Sequence, residues 1–141
     1  NVSLAMSHVV PDLVQKILKG QDPLHLLGDG TQVRHYTYGG DLAKGLRLCL
    51  EHAAALNQDF NLSTPKATTV LELAQVIWKK INGDKPFRFV SDQPYAHDVQ
   101  YRSPDAGKAK RLLGFEAATT LDEMLDEVIP WIRGAVAQGR I

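Results

Sequence analysis

Apolar residues recur every three or four positions in five segments of this chain, and that spacing places them on one face of an α-helix. The first predicted helix covers residues 11–19, with Pro11 in its first turn and Gly20 at its end. A second helix follows Asp41. Four apolar residues define the face that this second helix is expected to bury: Leu42, Leu46, Cys49 and Leu50.

Capping boxes mark two of the later helices, since a threonine and a glutamate three residues apart can satisfy each other's backbone. Thr69 and Glu72 have this spacing at the start of the third helix, and Thr120 and Glu123 have it at the start of the fifth. Pro130 is expected to kink or split the fifth helix, because a proline inside a helix removes one hydrogen bond. The expected buried residues are Val70, Leu73, Ala74, Ile77, Trp78 and Ile81 in the third helix and Leu121, Met124, Leu125, Val128 and Ile132 in the fifth.

A short fourth helix and a few short strands complete the predicted elements. Asp105 is expected to cap the fourth helix, which runs through Leu113 and ends at Gly114. Residues 91–103 lack clean periodicity and are interpreted as a loop that can fold over a ligand. Stretches rich in β-branched and aromatic residues predict strands at residues 24–27, 32–38, 59–62 and 87–90. So few strands cannot form a self-contained sheet, and we expect at least one to pair with chain outside this sequence.

Length and composition fit a single mixed α/β domain over residues 1–141, with about five helices and a few short strands. Sixteen basic and sixteen acidic residues cancel, so the chain has no electrostatic footprint for nucleic acid. No apolar run approaches the roughly 18 residues of a membrane span, and no signal-peptide pattern is present. We therefore expect a cytoplasmic protein. Its single cysteine, Cys49, is expected to be a buried structural thiol.

Candidate chemistry is concentrated in the alternating residues 33–38, which follow a Gly-Asp-Gly turn. On a strand, Arg34, Tyr36 and Tyr38 would share one face. A guanidinium beside two phenols can bind phosphate oxygens. The same spacing fits a surface arginine that lies along aromatic rings, and by itself it favours that reading.

The order of motifs along the chain resembles the C-terminal part of NDP-sugar epimerases and dehydratases, the extended short-chain dehydrogenase family. In that family a Gly-Asp-Gly-type turn leads to an Arg-x-aromatic stretch, which matches Arg34 and Tyr36. Residues 59–63 look like its [Tyr/Phe]-Asn-[apolar]-[Gly/Ser] strand, and residues 102–115 look like its Arg-x-x-Asp-x-x-Lys-Ala-x-x-x-Leu-Gly-aromatic signature. Trp131 lies in the segment that is similar to the closing helix of the family. The resemblance covers essentially the whole chain.

The resemblance implies a binding site for an NDP-sugar, in which Arg34 contacts the diphosphate and Tyr36 lines the nucleotide pocket. The other residues that it places at this site are His8, His25, Leu26, Leu27, Tyr95, Asp98 and Arg102. Some members have a second diphosphate-binding arginine three residues before an acidic residue, and Tyr95 occupies that position here. Arg102 or His97 is a candidate substitute. Leu27 stands where some members place an aromatic ring against the base, so weaker stacking is expected.

The half of the family that binds the dinucleotide and carries out catalysis has no counterpart in this sequence. It contains no Gly-x-x-Gly-x-x-Gly loop and no Tyr-x-x-x-Lys pair. We therefore expect no complete Rossmann domain, no catalytic residue, no bound cofactor and no activity of this chain alone, while the resemblance implies NAD(P) for an intact parent enzyme. The five histidines have no metal-ligand spacing, so no metal site is expected.

Three functional hypotheses follow. The first is the C-terminal, NDP-sugar-binding portion of an epimerase or dehydratase, whose other partner is the missing N-terminal dinucleotide-binding half. The second is a free-standing, self-associating ligand-binding or interaction module derived from such an enzyme, in which a second copy replaces that half. The third is an inert fragment. None of the three implies a nucleic-acid or membrane partner.

Overall fold

The computed structural model describes residues 8–140, which divide into two compact units. The first unit contains residues up to 32, residues 69–100 and residues from 125 onward, and the second contains residues 33–68 and 101–124. In chain order the elements are α1 (Val9–Leu18), β1 (Leu24–Leu27), β2 (Val33–Arg34), α2 (Gly39–Glu51), a short 3-10 helix (Ala53–Ala55), β3 (Thr68–Thr69), α3 (Val70–Asn82), β4 (Phe89–Asp92), α4 (Gly107–Leu113) and α5 (Leu121–Ala137). The predicted mixed α/β fold is confirmed in this part of the chain.

The first unit is built on a two-stranded parallel sheet and the helices around it. β1 pairs with β4 in a register that sets Leu24 opposite Phe89 and Leu27 opposite Asp92. Alternation along β1 buries Leu24 and turns Leu27 toward solvent. Helix α1 packs against α3. The buried apolar residues of this unit are Leu13, Val14, Ile17, Leu24, Leu26, Leu73, Ala74, Ile77, Trp78, Leu125, Ile129, Ile132 and Ala135.

The two tryptophans of the chain have opposite environments within the first unit. Trp78 on α3 is 2% exposed, and its indole nitrogen donates a hydrogen bond to the carbonyl of Lys85 at 2.8 Å. Phe87 packs edge-on against this indole, with 5.7 Å between the ring centroids. Trp131 on α5 is 61% exposed. Burial with a satisfied N–H makes Trp78 part of the core, whereas Trp131 is a surface residue.

The second unit has a smaller core around α4. Its buried residues are Ala109, Leu113, Phe115 and Ala117, and the partly buried Leu48, Cys49, Ala55, Phe60 and Leu62 pack against them. Helix α2 approaches this core closely at Gly45, where a Cβ would lie 2.8 Å from the Phe115 ring. β2 and β3 form a minimal sheet, and Val33 also bridges to Tyr101.

The predicted helix ends are confirmed where the capping residue and its hydrogen-bond partner are close in sequence. Both capping boxes form, because the hydroxyls of Thr69 and Thr120 accept the Glu72 and Glu123 N–H groups at 3.1 and 3.2 Å. The N-cap residue of α4 is Ala106 rather than the predicted Asp105, whose carboxylate accepts the N–H of Gly107, the first residue of the helix, at 2.7 Å. The predicted terminal glycines Gly20 and Gly114 have φ angles of 79° and 66°.

The predicted buried face of α2 is wrong. Leu42 is 38% exposed, Leu46 is 54% exposed and Leu50 is 88% exposed. The helix instead buries Asp41 and Gly45. The rotation of the helix is set by the Asp41 carboxylate, which accepts the N–H of Thr119 at 2.8 Å, and by the close approach at Gly45. Cys49 is partly buried, but it packs toward the core without these leucines.

Several strand boundaries also differ from the prediction. The strand expected at residues 32–38 is limited to Val33–Arg34, and residues 59–62 form no strand. The last strand is Phe89–Asp92 rather than residues 87–90. Short extended stretches without a long ladder of partners remain irregular, because a strand requires pairing along its length.

Helix α5 is continuous through Pro130, so the predicted split is absent. A proline at this position removes a hydrogen bond to the carbonyl of Asp126. Pro130 and Asp126 are both exposed, so water can solvate the carbonyl that lacks its helical partner. Leu121 and Val128, predicted as buried, are half-buried, whereas Ile129 and Ala135 lie in the core of the first unit.

Gly20 and Gly30 have the same φ angle but different surroundings. Alanine substitutions at the two positions therefore separate the free-energy cost of a left-handed residue from that of a close contact. Gly20 and Gly30 both have φ of 79°, but a Cβ at Gly20 has no neighbour within 4 Å, whereas a Cβ at Gly30 lies 3.0 Å from the Leu71 Cβ. We expect Gly20→Ala to lower the free energy of unfolding by about 1–2 kcal/mol, and Gly30→Ala to lower it further. Urea denaturation measures both. Equal losses would show that the contact with Leu71 relaxes freely.

The buried Asp41 carboxylate predicts a dependence of stability on acid pH. Burial by itself would raise the pKa of Asp41, but hydrogen bonds from Thr119 and Lys44 hold it below its ordinary value. A lowered pKa in the folded state stabilises the fold above the unfolded pKa, about 3.9, and this contribution disappears as the pH falls through the folded pKa. Asp41→Asn should therefore lose about 1–2 kcal/mol at pH 7, and the difference from wild type should shrink below about pH 4.

Unfolding curves measured from pH 7 to pH 2 test this expectation. The exposed Asp84→Asn variant serves as the control, because no hydrogen bond of Asp84 anchors a helix. A difference between wild type and Asp41→Asn that stays constant over this range would contradict the role given to the carboxylate.

Candidate functional site

A tight turn joins β1 to the segment that carries the predicted arginine. Gly28 and Gly30 have φ angles of 71° and 79°, a left-handed conformation that glycine adopts without steric cost. Between them, Asp29 accepts hydrogen bonds from the Thr31 hydroxyl at 2.6 Å and the Thr31 N–H at 2.9 Å. These bonds lower the pKa of Asp29, the one from the hydroxyl most strongly. The Gly-Asp-Gly motif is thus a rigid connection between β1 and Gln32.

Gln32 is a buried polar residue that the sequence reasoning missed. Its side-chain nitrogen donates to the carbonyl of Leu27 and to the carboxylate of Asp98, both at 3.0 Å. Leu27 and Asp98, which the sequence assigns to the site, are brought together by this amide. The only signal for Gln32 in the sequence is its place as a polar residue two positions before Arg34. This signal does not identify Leu27 or Asp98 as its partner.

The remaining predicted residues of the first unit differ in accessibility. The His25 ring lies 2.9 Å from the Asp92 carboxylate, with Nδ1 facing the oxygen. Leu26 is 1% exposed, so its side chain belongs to the core and only its backbone can face a ligand. His8 is exposed at the start of α1. Tyr95 is exposed in the loop after β4, where its carbonyl accepts the Asp98 N–H at 3.2 Å.

In the second unit, the side chain of Arg34 and the backbone of Arg102 donate to one backbone carbonyl. The guanidinium of Arg34 donates to the carbonyl of Val33 at 2.8 Å, and the N–H of Arg102 donates to the same oxygen at 3.2 Å. The parallel bridge between Val33 and Tyr101 fixes this approach. The strand ends at Arg34 and Tyr38 precedes α2, so the expected shared strand face extends neither to Tyr36 nor to Tyr38.

Tyr36 follows β2 in the chain and lines a cleft of the second unit. Its hydroxyl is buried and has no hydrogen-bond partner among the described residues. Burial raises the pKa of Tyr36 to about 12, although the charge of Arg34 acts in the opposite direction. The phenol therefore stays protonated at neutral pH and is a donor. Tyr36 lines a cleft of about 440 Å³ whose other walls are Thr64, Pro65, Lys66, Thr68 and residues 117–122.

The turn after β1 differs from the strand-to-helix connection that holds the phosphates of a dinucleotide. β1 leads into a turn and a further extended segment rather than a helix. α2 begins with two glycines and carries Asp41 in its first turn, where the carboxylate accepts the N–H of Thr119. Among residues 8–140, no group of three or more His, Cys, Asp or Glu side chains is placed to hold a metal ion. None of the helices in this part of the chain is long and apolar enough to cross a membrane.

Known proteins of related sequence are nucleotide-sugar enzymes. The family model described as GDP-mannose 4,6 dehydratase matches residues 4–128. UDP-glucuronic acid decarboxylase 1 of Danio rerio is 32% identical over 123 residues, which cover 87% of this chain and 28% of that protein. UDP-glucuronic acid decarboxylase 4 of Arabidopsis thaliana is 34% identical over 131 residues, which cover 91% of this chain and 28% of that protein. The chain thus spans about 28% of the length of these curated relatives.

Solved structures give the same relationship. The UDP-glucose 4-epimerase of Thermotoga maritima, determined with UDP-glucose, superposes with a TM-score of 0.81 and 30% identity, over 93% of this chain and 41% of that one. MoeE5, in complex with UDP-glucuronic acid and NAD, superposes with a TM-score of 0.75 and 28% identity, over 92% of this chain and 42% of that one. This chain belongs to the GDP-mannose 4,6 dehydratase family and corresponds to part of an NAD-dependent NDP-sugar epimerase or dehydratase of the extended short-chain dehydrogenase type.

Proposed function

We propose that this chain is the NDP-sugar-binding, C-terminal domain of an NAD(P)-dependent sugar epimerase or dehydratase, and that chain outside this sequence binds the dinucleotide and performs the chemistry. The observation that carries the proposal is the half-buried Arg34, whose guanidinium donates to the Val33 carbonyl, the same oxygen that accepts the backbone N–H of Arg102. A diphosphate needs cationic donors, and an arginine fork matches its oxygens. A cytoplasmic location is part of this proposal.

Arg34 and Arg102 divide the diphosphate between them in this proposal. Arg34 is half-buried, so its guanidinium is restricted before a ligand arrives and loses less entropy on binding. The Arg102 backbone is fixed beside it, and its exposed side chain supplies the second cation that Tyr95 does not provide. The buried Tyr36 hydroxyl, a donor without a partner among the described residues, gives the ligand a neutral hydrogen bond.

The residues that the resemblance assigns to the base belong to the first unit. His8 and His25 border the base with their side chains, Leu26 with its backbone and the exposed Leu27 with its side chain. Binding energy gained at the base and the diphosphate orients the sugar for reaction on the other half of the enzyme, because a remote contact can fix the position of the reacting group. The residues of this chain therefore act in binding and orientation.

Titration calorimetry with UDP-glucose tests the role of Arg34. Arg34→Ala should weaken binding about 10- to 100-fold, which is the effect of losing a charge-assisted contact. Arg34→Lys should recover only part of that loss, because lysine keeps the charge without the fork. Arg47→Ala is the matched control, since Arg47 is an exposed arginine on α2 that pairs with Glu51 at 3.8 Å. Equal affinities of wild type and Arg34→Ala would remove Arg34 from the site.

The exposed leucines of α2 favour the second function, self-association. Leu42, Leu46 and Leu50 recur every fourth residue, so they form one apolar stripe on the helix. Contiguous apolar surface of this kind marks sites where proteins associate. We propose that a second copy of the chain covers the α2 stripe when no other partner does.

Sedimentation and light scattering at increasing protein concentration test this proposal. Wild type should self-associate, and Leu46→Glu or Leu50→Glu should shift the chain toward monomer, because a carboxylate placed in an apolar contact must lose its hydration. Leu112→Glu is the control, since Leu112 is an exposed leucine on a different helix, α4. A wild-type chain that stays strictly monomeric at high concentration would contradict the proposal.

A further inference from the structure

We propose that Gln32 is a positioning residue: its buried amide fastens the loop after β4 to the end of β1 and so holds Tyr95 and Asp98 in place for the NDP-sugar. The inference rests on the proposed function for the identity of the ligand. The fastening itself is a property of the first unit that can be measured without any ligand.

The burial and the hydrogen bonds of Gln32 define a single arrangement of its side chain. The residue is 3% exposed. Its side-chain nitrogen donates at 3.0 Å to the Leu27 carbonyl and at 3.0 Å to the Asp98 carboxylate, so each amide hydrogen has its own acceptor. A flipped amide would set an oxygen against both of these acceptors. The amide therefore has one productive orientation, and it links two segments that are far apart in sequence.

The backbone at Gln32 is also held by hydrogen bonds. The carbonyl of Gln32 accepts the N–H of Val70 at 3.1 Å, and the carbonyl of Gly30 accepts the N–H of Leu71 at 2.9 Å. Both donors lie in the first turn of α3, where backbone N–H groups have no partner within the helix. Gln32 is thus tied to a core helix of the unit, and a loop bonded to its side chain is tied to the same helix.

The loop after β4 is shaped to receive this amide. The N–H of Gly28 donates to the carbonyl of Asp92 at 2.9 Å, at the last residue of β4. A Cβ at Gly28 would lie 2.7 Å from the Gln32 nitrogen and 3.5 Å from the Pro94 Cβ, so the missing side chain leaves room for both. Farther along, the N–H of Asp98 donates to the carbonyl of Tyr95 and closes a turn. The loop is therefore fixed at both of its ends.

The consequence concerns Tyr95, which is 72% exposed. An exposed side chain on a loose loop loses backbone and side-chain entropy when it binds a ligand, whereas one on a fixed turn has already lost the backbone part. By holding Asp98, Gln32 holds the turn that starts at Tyr95. Gln32 thereby improves binding without touching the ligand.

Two measurements on Gln32→Leu test the inference. Leucine has a similar volume but cannot donate, so amide hydrogen exchange of residues 93–98 should accelerate about tenfold or more. UDP-glucose affinity measured by calorimetry should fall about fivefold, which corresponds to about 1 kcal/mol. Gln75→Leu, at an exposed glutamine on α3, is the matched control and should change neither quantity.

Asp98→Leu provides a second variant that leaves the buried glutamine in place. It should accelerate loop exchange as Gln32→Leu does, and the acceleration in the double variant should be smaller than the product of the two single accelerations, because both changes break the bond between Gln32 and Asp98. Additive effects on exchange would overturn the link between Gln32 and Asp98. Faster loop exchange in Gln32→Leu with unchanged UDP-glucose affinity would overturn the positioning role.

Failure of the proposed function has a different signature. If wild type binds neither UDP-glucose nor UDP, the ligand assignment is wrong whatever the exchange experiment shows. If wild type binds UDP-glucose but residues 93–98 exchange at the same rate in wild type and Gln32→Leu, the fastening itself is wrong and the proposed function stands.

Discussion

Two left-handed glycines determine the path of the chain between β1 and Gln32, and the first unit depends on that path. Gly28 and Gly30 reverse the chain within three residues, so that Gln32 is carried to the end of β1 and to the start of α3 at once. The sheet, the α3 terminus and the loop after β4 all bond to this short segment, through the carbonyls of Gly30 and Gln32, the N–H of Gly28 and the Gln32 amide. A side chain at either glycine would need a strained backbone as well as space that neighbouring groups already fill.

The features that could be predicted from the sequence are those whose partners are close in sequence. The capping boxes at Thr69 and Thr120 need only the glutamate three residues later, and both form. The buried face of α2 could not be predicted, because the bond that sets its rotation joins Asp41 to a residue 78 positions away. The role of Gln32 could not be predicted for the same reason, since its partner Asp98 is 66 positions away. Apolar periodicity identifies a helix, but a distant polar contact selects the face that it buries.

The residues proposed for binding include few charged groups, and hydrogen bonds restrict the positions of several of them. The Arg34 guanidinium and the Arg102 backbone N–H donate to one carbonyl, burial raises the pKa of Tyr36 to about 12, and Tyr95 stands in place of the arginine that the resemblance puts in the loop after β4. Restricting Arg34 before a ligand arrives lowers the entropy that binding costs, because its guanidinium is half-buried and donates to the Val33 carbonyl. The proposed function assigns these residues to NDP-sugar binding, and the membership of the chain in the family supports that proposal.

The placement of the two tryptophans has a practical consequence for any study of this chain. Trp78 and Trp131 both belong to the first unit, and the sequence contains no other tryptophan. Tryptophan emission excited at the red edge of the absorption band therefore follows the loosening of the first unit alone, whereas far-ultraviolet circular dichroism follows the helices of both units. Coincident transitions by the two methods would mean that the units melt as one cooperative body, and separated transitions would assign the emission change to the unit that carries Gln32.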